Sequence, residues 1–240
     1  MVECGHGCTC KDQLCLYKVP IFNGLDPSEL EKIASIIIHR EYEKGETIIM
    51  DGEKTEAVII MHEGSAKAYK YTPEGREQIL YIFSEGDFFG EKNLLGNQKA
   101  TFSVDALEPV KICMIMKEQF QLLIQQYPIL GIKIIEELGE RMARLENTLQ
   151  SMGVRNVDAR ISSLLLEFSN KYGVEEKKGI VVHLPLSREG IANYLGITRE
   201  TVSRKLGQLE KDGIIQAINN KAILIKENDS LKEIAGELYP

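Results

Sequence analysis

The chain has 240 residues, of which 43% are hydrophobic and 27% are charged, and its net charge is −7. This composition is typical of a globular protein with one large domain or two ordinary ones and excludes a disordered chain. The negative charge argues against a protein that coats nucleic acid. The sequence has no long apolar run and no N-terminal signal pattern, so we expect a cytoplasmic protein without a membrane span.

Residues 1–18 are predicted to form a cysteine-rich, metal-binding arm. They contain four of the five cysteines, which are Cys4, Cys8, Cys10 and Cys15. The arm is short and rich in Gly, so it cannot form a hydrophobic core and becomes ordered only if something bridges its thiols. In a reducing compartment, clustered thiols bind metal or carry redox chemistry more often than they form structural disulfides. The fifth cysteine, Cys113, lies far away in an apolar run and would tie the arm to a globular domain.

Residues 19–126 are predicted to form a β-roll, or jelly-roll, domain. An amphipathic helix is expected from Pro20 to about Arg40. Short β-rich runs separated by turn signals follow, and many short strands at regular spacing indicate a barrel or a jelly roll. The predicted strands are Thr47–Met50, Ala57–His62, Ala66–Tyr71, Gln78–Phe83, Phe102–Ala106 and Val110–Met116.

A long helix is predicted over residues 127–153. Its apolar residues recur at alternating steps of three and four, which is a heptad seam. They are Ile135, Leu138, Met142, Leu145, Leu149 and Met152. Such a seam needs a partner, either the barrel of its own chain or the same helix of a second chain. The regular alternation favours a parallel homodimer.

Residues 154–240 are predicted to form a winged helix-turn-helix domain that begins with a helix over Val157–Lys171. Gly196 ends one later helix, and Thr198 can cap a second helix after a three-residue turn. The runs Lys211–Ile215 and Ala222–Ile225 would form the wing.

Six side chains of this domain suit DNA. Those in the first two turns of the second helix would reach base edges, where Arg suits guanine and Glu accepts from cytosine. They are Arg199, Glu200, Ser203 and Arg204. Thr201 and Arg188 are expected to contact phosphates.

The charge is unevenly distributed in a way that fits specific DNA binding. Between His183 and Lys226 there are seven Lys or Arg and four Asp or Glu, so this stretch is +3 and the remainder of the chain is −10. A basic module on an acidic body favours specific recognition over bulk adhesion. The sequence shows no Gly-rich phosphate loop and no Ser-His-Asp or HExxH pattern, so we do not expect an enzyme.

Over nearly its whole length the sequence resembles the CRP/FNR family of bacterial regulators. The likeness lies in Glu85-Gly-Asp-Phe-Phe-Gly-Glu91, in the long helix, and in Leu195-Gly-Ile-Thr-Arg-Glu-Thr-Val-Ser-Arg204. The resemblance implies an α+β protein with an effector-sensing β-roll, a dimerisation helix and a C-terminal winged helix-turn-helix domain. It also implies a transcription activator that works with RNA polymerase. Its double-stranded DNA site would be an inverted repeat of half-sites with a TGA core, with Glu200 and Arg204 on the G·C pair.

The cysteines resemble those of the fumarate-and-nitrate-reduction (FNR) branch, which binds an oxygen-labile [4Fe–4S] cluster. The resemblance implies four thiolate ligands, which are Cys8, Cys10, Cys15 and Cys113. It also implies that the protein senses oxygen or redox state. The spacing departs from the usual pattern because one residue separates Cys8 from Cys10 and because Cys4 is extra. Cys4 and His6 therefore remain alternative ligands.

Other ligands and signals stay open. Four thiolates also match a structural zinc site. A simple thiol switch, or unbound thiols with Cys113 as a small core residue, is a further possibility. In these cases the chain would be a CRP-like regulator that answers a small molecule in the β-roll.

The β-roll departs from the pattern of relatives that bind cyclic AMP. Those relatives hold the phosphate with an Arg-Ser pair that follows the Gly-Glu of the roll. Here the corresponding segment is Gln98-Lys99-Ala100-Thr101, which has no Arg. Lys99 would offer only a point charge instead of a bidentate contact. Gly90-Glu91 is therefore interpreted as a structural turn.

Overall fold

The computed structural model describes residues 16, 19–91, 98–154 and 156–236, apart from the side chains of residues 144 and 147–154. The fold divides into two compact units. The first comprises Met1–Tyr71 and Leu80–Met142, and the second comprises Thr72–Ile79 and Ala143–Pro240. None of the described helices is long and apolar enough to cross a membrane.

The N-terminal half is built from two four-stranded antiparallel sheets. The strands are β1 (Ile38–Tyr42), β2 (Thr47–Ile49), β3 (Ala57–Glu63), β4 (Ala66–Tyr71), β5 (Glu77–Phe83), β6 (Phe88–Phe89), β7 (Ser103–Ala106) and β8 (Val110–Met116). One sheet has the order β1-β8-β3-β6 and the other β2-β7-β4-β5. The helices of this half are α1 (Pro27–Ala34), α2 (Lys117–Gln126) and the start of α3 (Pro128–Val154). The predicted β-roll followed by a long helix is confirmed.

The helix expected from Pro20 to about Arg40 was predicted too long. A 3₁₀ turn covers Pro20–Phe22, α1 ends at Ala34, and β1 begins at Ile38. The start of α1 is set by a capping box, in which the Asp26 side chain accepts from Glu29 N at 3.0 Å and the Glu29 side chain accepts from Asp26 N at 2.9 Å. The β-branched run of Ile36, Ile37 and Ile38 then favours a strand.

Strand β8 separates two apolar layers. Val110 and Ile112 pack inside the roll between the sheets. Cys113 and Ile115 face the opposite side, where α1, α2 and the first turns of α3 cover the sheet. The separation follows from the alternation of side chains along a strand. Leu16 also belongs to this outer layer.

The second unit is an α/β module with one antiparallel sheet. After the end of α3, its elements are α4 (Val157–Tyr172), β9 (Gly173–Glu176), β10 (Gly179–His183), α5 (Arg188–Leu195), α6 (Arg199–Lys211), β11 (Ile215–Asn219), β12 (Ala222–Ile225) and α7 (Asn228–Ala235). The sheet order is β11-β12-β10-β9. The predicted helix-turn-helix and its wing are therefore present as α5, α6 and the β11–β12 hairpin.

Candidate metal centre and nucleic-acid interface

Cys113 lies in the middle of its sheet and is only 1% exposed. His39 of β1 pairs with it on one side and Ile60 of β3 on the other. The Cys113 Sγ is 3.5 Å from the His39 Nδ1. Burial, and then the charge of the nearby His62, lowers the pKa of His39, which favours a neutral imidazole. His39 was missed in the sequence because only the strand register places it beside the thiol.

The other predicted ligands, Cys4, Cys8, Cys10 and Cys15, lie outside the described residues. Leu16, the residue after Cys15, is buried in the same apolar layer as Cys113. Within the ranges that the structure describes, no three His, Cys, Asp or Glu side chains are grouped to hold a metal ion.

The two helices of the DNA-reading motif are joined as the sequence predicts. Gly196 ends α5 in the left-handed region with φ of +64°, where a side chain would be strained. Thr198 caps α6, and its Oγ1 accepts from Thr201 N at 3.3 Å. Three apolar side chains anchor the buried face of α6, namely Val202, Leu206 and Leu209.

The predicted DNA-contacting residues are not all equally available. Arg199, Glu200 and Arg204 are exposed on α6, and Glu200 and Arg204 lie opposite its buried face. Thr201 is half-buried, and its hydroxyl lies 3.0 Å from that of Thr198, so it takes part in the cap. The remaining two differ in exposure: Ser203 is half-buried on α6, and Arg188 is exposed at the first residue of α5. Two Arg and one Glu are thus exposed in the first two turns of α6.

Arg141 is largely enclosed by the first unit, with its side chain 13% exposed. Its guanidinium lies 3.7 Å from Glu91 Oε2 and 3.5 Å from Glu137 Oε1. It also donates to Phe88 O and lies over the rings of Phe83 and Phe88. No pattern in the sequence distinguishes this Arg from its exposed neighbours, because the enclosure depends on the roll.

The Gly90-Glu91 pair is more than a turn. Gly90 has φ of +95°, and a Cβ there would come within 2.5 Å of Ala57 O, which agrees with the structural interpretation. The Glu91 side chain, in contrast, is nearly buried, and among the described residues its Oε2 has no hydrogen-bond partner beside its ion pair with Arg141. Lys99 is the only cation of Gln98–Thr101, the segment that corresponds to the phosphate-binding Arg-Ser pair of cyclic AMP-binding relatives, and it is exposed.

We expect Arg141→Ala to destabilise the first unit by about 3 kcal/mol, because it leaves the Glu91 carboxylate buried without a countercharge. Urea unfolding monitored by circular dichroism measures this change. The double variant Arg141→Ala/Glu91→Gln should recover part of the loss. Equal destabilisation of the single and double variants would show that the ring contacts of Arg141 matter and the ion pair does not.

Part of the seam of α3 is exposed and part packs against the roll of the same chain. Ile135 and Met142 are 70% and 60% exposed, and Leu145 is also exposed. Leu138 is half-buried and packs against the outer layer of the roll. The seam residues Leu149 and Met152 have no described side chains. The helix therefore attaches to its own roll mainly through another face, which includes Leu130 and Ile134, and leaves much of the seam open.

Comparison with known proteins gives two family matches. Residues 39–127 match the cyclic nucleotide-binding domain, and residues 159–234 match the Crp-like helix-turn-helix domain. Among solved structures, FixK2 from Bradyrhizobium japonicum has a TM-score of 0.74 and 24% sequence identity, over 83% of this chain and 97% of that one. This likeness shows the fold.

Whole-chain relatives are regulators. The nitrogen fixation regulation protein FixK of Bradyrhizobium diazoefficiens is 30% identical over 92% of this chain and 91% of its own. The fumarate and nitrate reduction regulatory protein of Escherichia coli is 28% identical over 88% and 84%. A CRP-like cAMP-activated global transcriptional regulator of Mycobacterium tuberculosis is 26% identical over 90% and 96%. Both domains match, and the chain is 30% identical to FixK over 92% of its length, so it belongs to the CRP/FNR family of DNA-binding transcription regulators.

Proposed function

We propose that this regulator senses oxygen or redox state through a [4Fe–4S] cluster held by the N-terminal cysteines and Cys113. The ligands are Cys8, Cys10, Cys15 and Cys113, with Cys4 as the alternative. When bound, the cluster supplies the oxygen-sensitive chemistry. The protein would act as a homodimer in the cytoplasm, where it binds its operator and works with RNA polymerase as an activator.

The observation that carries this proposal is the position of Cys113. Its thiol faces the outer layer of the sheet and not the interior of the roll, and Leu16 packs in that same layer. Leu16 directly follows Cys15 in the sequence, so the proposal expects the arm to approach Cys113 from this side of the sheet. A buried thiol directed into the roll would be out of reach of any arm.

The surroundings of Cys113 fit a cluster ligand. Apolar neighbours exclude water, and the contact with the His39 ring offers a hydrogen bond to the sulfur. Hydrogen bonds to the sulfurs and solvent exposure tune the potential of such clusters. His39 would thus orient the Cys113 sulfur without being a ligand.

Purification without air tests the cofactor. The iron-sulfur proposal predicts a brown protein with iron and sulfide in equal amounts and a broad visible charge-transfer band that fades in air. A colourless protein that contains zinc would contradict it and support a structural zinc site. A colourless, metal-free protein that changes on thiol oxidation would support the switch.

A second candidate is a regulator that answers a small molecule in the roll. Its support is the buried Glu91 carboxylate with an oxygen that accepts no hydrogen bond. Exposed Lys99 replaces the expected Arg, so we expect no cyclic AMP binding by isothermal titration calorimetry. Saturable heat with cyclic AMP would favour this second candidate.

For DNA, we propose that α6 enters the major groove and reads an inverted repeat with TGA half-sites about one helical turn apart, ~34 Å. Glu200 and Arg204 would contact the G·C pair, and Arg199 would add a preference for a second guanine. The support is the exposure of these three side chains in the first two turns of α6, next to its capped N-terminus.

We expect Glu200→Ala to cost about 1–3 kcal/mol of operator binding and to relax selection at one position, because one base-edge acceptor is lost. Fluorescence anisotropy with operators that vary at each position measures both effects. Glu176→Ala, which removes an exposed carboxylate from β9, is the matched control. If Glu200→Ala weakened binding equally to every sequence, Glu200 would be a structural residue.

A further inference from the structure

We propose that Asp158 and Lys205 position the recognition helix and that Lys205 does not contact DNA. The inference rests on DNA reading by α6 and is independent of the cofactor. Lys205 is one of the basic residues that make this module positive, and in sequence it follows Arg204. A basic residue there suggests a phosphate contact, whereas the structure assigns it another partner.

The Lys205 ammonium is held by a carboxylate of α4. Its Nζ lies 2.6 Å from Asp158 Oδ1 and 2.7 Å from Oδ2, and its side chain is 27% exposed. Arg204, the adjacent residue, is exposed on the surface that carries Arg199 and Glu200. Adjacent residues of a helix point about 100° apart, so Lys205 is turned away from the Arg204 direction and towards α4.

Asp158 is itself well placed to act as an anchor. It lies in the first turn of α4, where the helix dipole favours a negative charge. Asn156 caps that turn by accepting from Ala159 N at 2.9 Å. Two residues after Asp158, the Arg160 guanidinium donates to Leu195 O at the end of α5. The first turn of α4 thus makes polar contacts with both helices of the helix-turn-helix, α5 and α6.

The ion pair between Asp158 and Lys205 lies close to the junction between α3 and the winged domain. Helix α4 begins at Val157, three residues after the last residue of α3, Val154. The ion pair joins that junction directly to α6. A rotation of the first turn of α4 would therefore also move α6 and the side chains that contact bases. A partly exposed ion pair contributes little to the free energy of unfolding. Removal of this pair is therefore expected to change the orientation of α6 more than the stability of the domain.

The test compares specific and non-specific DNA binding of full-length protein purified without air. The probes are a duplex that the wild-type protein selects from a random library and a scrambled duplex of the same composition. Lys205→Gln, Asp158→Asn, the double variant and the charge swap Asp158→Lys/Lys205→Asp are measured over a range of salt concentrations. Lys211→Gln removes an exposed positive charge from the last turn of the same helix and is the matched control.

We expect Lys205→Gln and Asp158→Asn each to weaken binding to the selected duplex roughly tenfold, with the double variant no worse than either, since both remove one interaction. The affinity of each variant for the scrambled duplex, and the slope of its affinity against salt concentration, should equal the values for Lys211→Gln. The charge swap should restore most of the affinity. Thermal unfolding of each variant shows whether its fold is intact, and the swap keeps the test valid if a single variant unfolds.

Two results would overturn the assignment. A phosphate contact would make Lys205→Gln weaken both duplexes and lower the salt slope by about 1, while Asp158→Asn would not weaken binding. Variants indistinguishable from Lys211→Gln would show that the pair has no positioning role. Failure of the wild-type protein to select any duplex would instead refute DNA reading itself.

Discussion

Cys113→Ser should yield protein with less than about a tenth of the iron and sulfide of the wild type, because a serine hydroxyl is a poor ligand for a cluster held by four thiolates. Cys113 is the one predicted ligand whose position the structure describes, and it is fixed between two neighbouring strands. Iron and sulfide analysis after anaerobic purification measures the effect, and operator binding should fall with it.

The serine change is nearly isosteric, so a loss of cluster would not be explained by disruption of the core. Circular dichroism of the metal-free wild type and variant should coincide. Cys15→Ser should behave like Cys113→Ser. Cys4→Ser should retain most of its iron, because Cys8, Cys10 and Cys15 already complete four ligands with Cys113. Full iron and sulfide in Cys113→Ser would show that the cluster assignment is wrong.

The dimer should survive loss of the cluster. The open part of the seam on α3, which includes Ile135, Met142 and Leu145, is apolar and carries no charge that would make the contact marginal. Each such side chain contributes about 1.5–3 kcal/mol when it is fully buried. Sedimentation before and after air exposure should therefore give an unchanged mass while operator binding is lost. Control would then act by reorienting the two winged domains.

Met142→Glu should convert this dimer to monomer at micromolar concentration, because it places an unpaired carboxylate in an apolar contact. Leu122→Glu is the matched control: Leu122 is equally exposed but lies on α2, outside the seam, so its variant should stay dimeric. If air alone dissociates the wild-type protein, assembly control replaces reorientation. If Met142→Glu remains dimeric, the seam is not the interface.

The sequence was most informative where local patterns decide the structure. The seam period predicted the long helix, which the structure has over Pro128–Val154. Gly196 and Thr198 predicted the turn between the reading helices, because a left-handed residue and a capping hydroxyl act within a few residues. The same local reasoning failed from Ile38 to Arg40, where pairing with β8 produces a strand in place of a predicted helix end.

By itself, then, the sequence determined the order of β-roll, long helix and winged helix-turn-helix. It also determined the heptad seam, the recognition helix that carries Arg199, Glu200 and Arg204, and a cysteine in the last strand of the roll. Only the tertiary structure decided which side chains meet across elements. Strand register placed His39 against Cys113, the closed roll enclosed Arg141 beside Glu91, and the packing of α4 on α6 turned Lys205 to Asp158. Local patterns depend on neighbours along the chain, whereas these contacts join residues more than forty positions apart, and no periodicity records them.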